Sequence, residues 1–307
     1  MRKPDLHLAG YQGTTSILTR ALARLAQTVQ ALSQGWSVHV DNDVTAGGES
    51  AASLFASVEQ GRRQLCYLAS AYISARVPEL NVLDLPFSVT DRAAAWAALD
   101  GEAGCCLTEA VARQTGYQVL GFWDNGFRHI SNSVRPIRSP RDCEGLIIRT
   151  LDSANYRAAL AALGFVPRTI DVKDLVRVIE SGEVHAQENP LTNLLNFSIW
   201  RHHPHLSLTG HYFGVLLLVC HRAWFDALTR PQQAVLHEAA LEATRHQRWD
   251  AAEEDARALV QLRSCGVQVL GPHELDLAAM HRATSAVALA QRQALPPALL
   301  RAYLAAG

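Results

Sequence analysis

The chain has 307 residues, 49% of them hydrophobic, with 28 Lys plus Arg against 29 Asp plus Glu and a formal net charge of −1. It can bury one large core or two ordinary ones, and no basic stripe is left over to neutralise a phosphate backbone, so no nucleic-acid partner is expected. The longest apolar run, "GVLLLVC" at 214–220, falls far short of the roughly 20 residues that span a bilayer, so no membrane-crossing segment is expected.

The start, "MRKPDLHLAGYQG", is basic but lacks an apolar signal core, and no export signal is expected in these residues. The expected location is periplasmic if a leader has been removed and cytoplasmic otherwise. Six cysteines (Cys66, Cys105, Cys106, Cys143, Cys220 and Cys265) form no CxxC pair, a scatter commoner in a reducing compartment.

Strand-like and helix-like segments alternate from the outset, the pattern of an α/β fold with largely parallel sheets. "DLHLAG" (5–10) predicts a strand, and Ile17, Leu18, Ala21, Leu22, Leu25, Val29 and Leu32 recur at helical spacing. "WSVHVD" (36–41) predicts a second strand, "TAGGES" (45–50) a glycine turn into a helix, and "QLCYLAS" (64–70) a third strand. "LNVLDLPF" (80–87) is an extended apolar run, after which Asp91 caps an alanine-rich helix. "YQVLGFWD" (117–124) and "FRHISNSV" (127–134) predict two strands separated by an Asn125-Gly126 turn. "GLIIRT" (145–150) predicts a strand leading to a helix from about Ser153, with Gly164 past its end. A further strand–helix–strand unit runs to "VHAQEN", and Arg230 to about Arg263 lacks any proline after Pro231 and any glycine. One helix of about 50 Å is expected there, long enough to brace two lobes. "VQVLG" and the alanine-rich C-terminus add a strand and helical packing.

The stretch "VHAQENPLTN" (184–193) runs a half-apolar strand into Gln-Glu-Asn-Pro. From the residues alone, Asn-Pro is an ordinary turn and Arg149, after its strand, an ordinary surface or ion-paired arginine. "RHHPH" (201–205) puts His203 and His205 on one strand face, without a third ligand at regular spacing, so no metal is expected. His237-Glu238 lacks the second histidine of HExxH, and no GxSxG, P-loop or GxGxxG occurs, so no cofactor is expected. Cys105-Cys106 is expected to pack rather than to do redox chemistry.

"GFRHISN" (126–132), "RPIRSPRDCEGLIIRT" (135–150), "ALGFVPRTID" (162–171), "SGEVHAQENP" (181–190) and "LSLTGHYF" (206–213), with "PELNVLDLPF" (78–87) before them, follow one another in a recognisable order. Over about residues 5–260 the chain resembles the substrate-binding subunits of tripartite ATP-independent periplasmic (TRAP) transporters, of the dicarboxylate-receptor (DctP) type. The resemblance implies a two-lobed α/β binding protein whose lobes close on a small organic acid, which then passes to a membrane permease. It also implies three interlobe crossings near 125, 212 and 252, giving one lobe of 1–125 plus 213–252 and another of 126–212 plus 253–307.

By the same resemblance Arg149 is the carboxylate-clamping arginine, at a strand end where a guanidinium fork matches a carboxylate. Asn189 is a second clamp, and Arg128 contributes to the anion site, with a structural pair to Glu188 or Asp124 as its alternative. Gln187 and Glu188 point opposite ways, only one toward the cleft. In the first lobe Gly47-Gly48-Glu49-Ser50 departs from the Gly-Gln-Leu-Gly of many relatives. Tyr11, Gln12, Glu49, Tyr72 and Phe213 complete the expected ligand-facing set. A rival is a cytosolic derivative of the fold acting as an enzyme on an acid substrate, with Glu188, His211 or a cysteine moving a proton; a carboxylate beside two arginines is a poor base for that.

Overall fold

The computed structural model describes residues 4–33 and 35–304. The basic start at Arg2 and Lys3, and residues 305–307 at the end of the expected second lobe, lie outside them.

The first half runs β1 (Asp5–Ala9), α1 (Ile17–Leu32), β2 (Ser37–Asp41), α2 (Ala51–Glu59), β3 (Leu65–Ala69), α3 (Arg92–Asp100), α4 (Glu102–Gln114) and β4 (Tyr117–Asn132). It continues through α5 (Pro140–Cys143), β5 (Ile147–Thr150), α6 (Ala154–Ala162), β6 (Val166–Thr169), α7 (Leu175–Glu180), β7 (Ala186–Asn189) and α8 (Leu191–Asn196). The last part is β8 (His205–His221), α9 (Arg222–Asp226), α10 (Arg230–Ser264), β9 (Gln268–Leu270), α11 (Leu277–Ala294) and α12 (Pro297–Leu304). Helix starts follow local chemistry: Ser16 accepts from the Thr19 N–H at 3.0 Å, and Thr229 and Gln232 form a capping box at the head of α10.

The strands lie in the order β2-β1-β3-β8-β4-β7-β5-β6, with β9 beside β8. The β1–β2, β1–β3, β5–β6 and β5–β7 pairs are parallel, while β4 and β8 run antiparallel to each other through the middle. These two strands carry the chain between two cores. Trp123 and Leu216 belong to the first core, with Leu6, Leu22 and Tyr67, whereas Ile130 and Leu206 belong to cores on the two faces of the second half-sheet. Helix α10 does the same, with Leu236, Ala243 and Ala251 in the first core and Ala258 and Leu262 in the second. The fold is a two-lobed α/β fold, α/β as the alternation of segments leads one to expect and two-lobed as the resemblance implies.

Three sequence expectations change. Asn125-Gly126 is not a turn between two strands. Gly126 (φ 80°) absorbs a register shift inside one strand, because both halves of β4 pair with the same partner, β8. "LNVLDLPF" is not extended but coils through a 3₁₀ turn at Pro78–Val82. The C-terminal segment, which the resemblance puts in the second lobe, sends Leu299 and Tyr303 of α12 into the first core with Trp96, Leu99 and Leu107. Among the described residues no helix is long and apolar enough to cross a membrane.

Candidate functional site

The parallel pair β5–β7 ends at the crevice between the half-sheets, and its register sets Arg149 opposite Gln187. Antiparallel β4 sets Ile130 opposite Glu188 and His129 opposite Asn189. Side chains of a strand alternate, so Gln187 and Asn189 share one face and Glu188 takes the other, with Arg128 two residues along from its partner. Two networks result.

On the first face Gln187 donates to Ser131 Oγ at 2.6 Å and accepts from Asn189 Nδ2 at 2.5 Å, while Asn189 Oδ1 accepts from Asn193 at 3.1 Å. Pro190 sits at the N-cap of α8, so the polar end of the strand is locked from both sides.

On the second face Arg128 and Glu188, both buried, form a closed pair. Arg128 Nε donates to Glu188 Oε2, and Nη2 donates to Glu188 Oε1 at 2.9 Å and to its main-chain oxygen at 2.8 Å. Burial opposes ionisation of Glu188, but the Arg128 guanidinium outweighs it and holds the carboxyl at about 2. Arg128 is held correspondingly above its usual range. The pairing with Glu188 that the sequence left open is therefore present, and Nη2 also approaches Asn189 Oδ1 at 3.4 Å. Thr150 Oγ1 approaches Glu188 Oε1 at 3.4 Å. A bulge in β8 also brings His211 in: Arg128 faces Tyr212 and Ile130 faces Ser207, leaving residues 208–211 looped out, with His211 Nε2 3.7 Å from Glu188.

Arg149 is treated differently. It is 2% exposed; its Nε donates to the Ile170 main-chain oxygen at 2.9 Å, and the Tyr72 hydroxyl is a second polar neighbour of its guanidinium. No described carboxylate lies within ion-pairing distance of it. Tyr72 is its neighbour across the cleft: burial raises the Tyr72 phenol, and Arg149 is the largest influence opposing this. Tyr72 and Ile170 line a groove of about 390 Å3 whose floor and rim include Phe55, Ile73, Asp152 and Asp171. Arg149 lies behind that lining rather than in it.

The other expected residues divide. Tyr11 is buried one ring behind the cleft, packed on Phe55 (5.6 Å), which in turn packs on Tyr72 (5.1 Å). Gln12 is buried beside it, its main-chain oxygen accepting from Thr19. Two do not face the crevice as expected. Glu49 is clasped by Arg63 in a bidentate pair at 2.8 Å on each oxygen, and Phe213 packs between Trp96 and Phe127 at the strand crossing under Arg92. Phe213 falls there because β8 passes from one core to the other at that point. His203 is not on a strand face with His205: it is buried with Nδ1 against Ser131 Oγ at 2.9 Å, while His205 meets Gln268.

Sequence reasoning missed Asp84, Tyr156 and Tyr212. Tyr156 donates to Asp84 Oδ1 at 3.2 Å and stacks on Tyr212 at 4.2 Å. Burial pushes the Asp84 carboxyl up to about 7 against Tyr156, Arg128 and Ser70, and its Oδ2 has no hydrogen-bond partner. The available signal was an aspartate flanked by leucines in "NVLDLPF", a charge where the pattern demands burial.

The arrangement can hold a small anion: one buried guanidinium lacks a counter-charge, and the Tyr72 phenol beside it lines the groove. Known proteins with a similar sequence and fold are bacterial solute receptors. The pattern of the family described as "Bacterial extracellular solute-binding protein, family 7" (DctP) matches residues 8–293. A solute-binding protein of Verminephrobacter eiseniae is 33% identical over 216 residues, 70% of this chain and 64% of that protein. The 2,3-diketo-L-gulonate-binding periplasmic protein YiaO of Escherichia coli is 32% identical over 221 residues, 72% of this chain and 67% of its own. The chain thus matches about two thirds of the length of these relatives. The crystal structure of the sugar acid binding protein of Advenella mimigardefordensis in complex with galactonate superposes with a TM-score of 0.92 at 24% identity, covering 100% of this chain and 98% of that one.

Proposed function

The chain belongs to family 7 of the bacterial extracellular solute-binding proteins, and from that membership we propose that it captures a small hydroxylated acid bearing one carboxylate and delivers it, outside the cytoplasmic membrane, to a TRAP-type permease. Arg149 anchors the carboxylate. The observation that carries this reading is a guanidinium 2% exposed that no carboxylate among the described residues pairs. Burying a cation without a counter-charge costs several kcal/mol, and a carboxylate arriving between the lobes offsets that cost.

The charge count favours a monoacid. Arg128 and Glu188 cancel each other, leaving Arg149 as the uncompensated charge at the strand ends. The groove mouth adds Asp152 and Asp171, which would repel a second carboxylate. The Tyr72 hydroxyl on the groove lining suits hydroxyl groups instead. The relative that binds 2,3-diketo-L-gulonate and the fold neighbour that holds galactonate are both named for sugar acids, in line with this reading. Lobe closure about the β4, β8 and α10 crossings would trap the ligand, selected by its higher affinity for the closed state. Turnover is disfavoured, because Glu188 at about 2 has little basicity to offer.

The test is calorimetric titration of galactonate and of succinate into the protein at pH 7.5. Binding of galactonate with no detectable heat from succinate is expected, as is loss of the signal in Arg149→Ala. Tighter binding of succinate would overturn the monoacid assignment, and undiminished galactonate binding by Arg149→Ala would overturn the anchor.

A further inference from the structure

Parallel strands β1 and β2 form the outer edge of the first half-sheet, with Asp5 opposite Ser37 and His7 opposite His39. The alternation of β1 sends Leu6 and Leu8 into the core and leaves Asp5 and His7 on the other face, where His39 joins them. There the two imidazole rings stand 4.6 Å apart and both aim Nε2 at one carboxylate. His7 Nε2 lies 3.2 Å from Asp5 Oδ2, and His39 Nε2 lies 3.7 Å from Asp5 Oδ1. The three donor groups come within 4.8 Å of one another.

We propose that Asp5, His7 and His39 form a binding site for a divalent transition-metal ion of the zinc type. In a tetrahedral site with donors at about 2.0–2.1 Å from the ion, neighbouring donors are about 3.3 Å apart. The Asp5–His7 and Asp5–His39 separations already bracket that spacing, so small rotations of exposed side chains close the set. Two imidazoles and one carboxylate are borderline donors that suit Zn2+, Ni2+ or Cu2+ and leave positions free for water. Strand pairing fixes the separation of His7 and His39, so the site is preorganised by the sheet rather than by a loop. The Asp5, His7 and His39 side chains are 60%, 44% and 58% exposed, which keeps the open side of the site accessible. Ser37 Oγ, 2.8 Å from His39 Nε2, is the group the metal displaces. The bound ion would tie edge strand β2 to β1. The pattern is invisible along the sequence, since His39 is 32 positions from His7 and only the strand register joins them.

The experiment titrates ZnCl2 into the metal-free full chain by calorimetry, alongside His7→Ala/His39→Ala and Asp5→Asn, with Co2+ absorption as a readout of coordination. One zinc per chain is expected, with affinity lowered at least 100-fold in the double histidine variant, beyond the roughly 10–100-fold typical of losing a supporting group. The side chains are exposed, so metal-free melting temperatures and galactonate titrations should match the wild type. No zinc binding by the wild type at micromolar metal overturns the proposal, and so does undiminished binding by the double variant, which would put the ion at another group.

Discussion

Arg128 and Arg149 lie on the same half-sheet, on β4 and β5, and both are almost fully buried. The first has its counter-ion built in: Glu188 takes Nε and Nη2, and its main-chain oxygen takes Nη2 again. The second has one main-chain oxygen and a tyrosine for company. The same side chain is thus an internal ion-pair partner in one place and, two strands away across β7, a buried cation without a carboxylate. Whether the neighbouring strand offers a carboxylate on the same face decides which, and alternation decides that: β7 turns Glu188 toward Arg128 and Gln187 toward Arg149.

The largest expected effect follows from breaking the built-in pair. Glu188→Gln leaves Arg128 buried without its charge partner and should cost about 3–5 kcal/mol of stability, read by denaturant melts. The pH dependence has a definite sign. The folded Glu188 carboxyl is depressed to about 2, so its contribution is present above the ordinary glutamate range and is lost as pH falls from about 4.5 toward 2. Glu188→Gln should flatten that part of the acid-unfolding profile. A variant as stable as the wild type at pH 7 would mean that Arg128 has found another anion.

Arg149→Ala should do the reverse: little loss of fold stability, and a loss of acid affinity worth about 2–5 kcal/mol, the usual cost of truncating one partner of a buried charge pair. Arg149→Lys keeps the charge but not the fork, and should recover only part of it. If Arg149→Ala destabilised the empty protein as strongly as Glu188→Gln does, the contrast between the two arginines would be lost.

Much of this was legible in the sequence because it depends on period and punctuation. The alternating segments, the long glycine-free helix and the Gln-Glu-Asn-Pro strand end stand where the pattern puts them. The crossing of β4 was not legible, because Asn-Gly signals a turn locally, and only the long partner β8 shows that the chain continues straight. Nor was the pairing of Arg128 with Glu188 over Asp124 decidable, since Asp124 is four positions away and Glu188 sixty, and only strand register brings the distant one to it. Asp124 instead faces Arg92 at the crossing, at 3.4 Å. Asp84 stayed hidden because its partners, Tyr156 and Ser70, come from separate segments.

Asp84 sharpens the comparison at a smaller scale. Its folded carboxyl is raised to about 7, so its contribution to stability is complete below the ordinary aspartate range and is lost as pH rises from about 4 through 7. Asp84→Asn should therefore raise stability at pH 8, by up to about 4 kcal/mol, and leave it nearly unchanged at pH 4. Equal melting temperatures for both proteins at pH 8 would mean that the carboxylate is already well solvated there.

The smallest effect belongs to a third arginine–carboxylate pair, Arg63 with Glu49 in the first lobe. Its geometry is bidentate like the best buried pairs, but both side chains keep about a quarter of their surface, at 24% and 28% exposure. Arg63 holds the Glu49 carboxyl below its usual range, yet solvent screening keeps such pairs to about 1 kcal/mol or less. Glu49→Ala should accordingly shift stability by no more than that and leave galactonate affinity unchanged. Geometry alone does not set the worth of an ion pair; burial does. If Glu49→Ala weakened galactonate binding tenfold, the loop after β2 would have to reach the ligand on closure, and the receptor half of the cleft would extend into the first lobe beyond Tyr72.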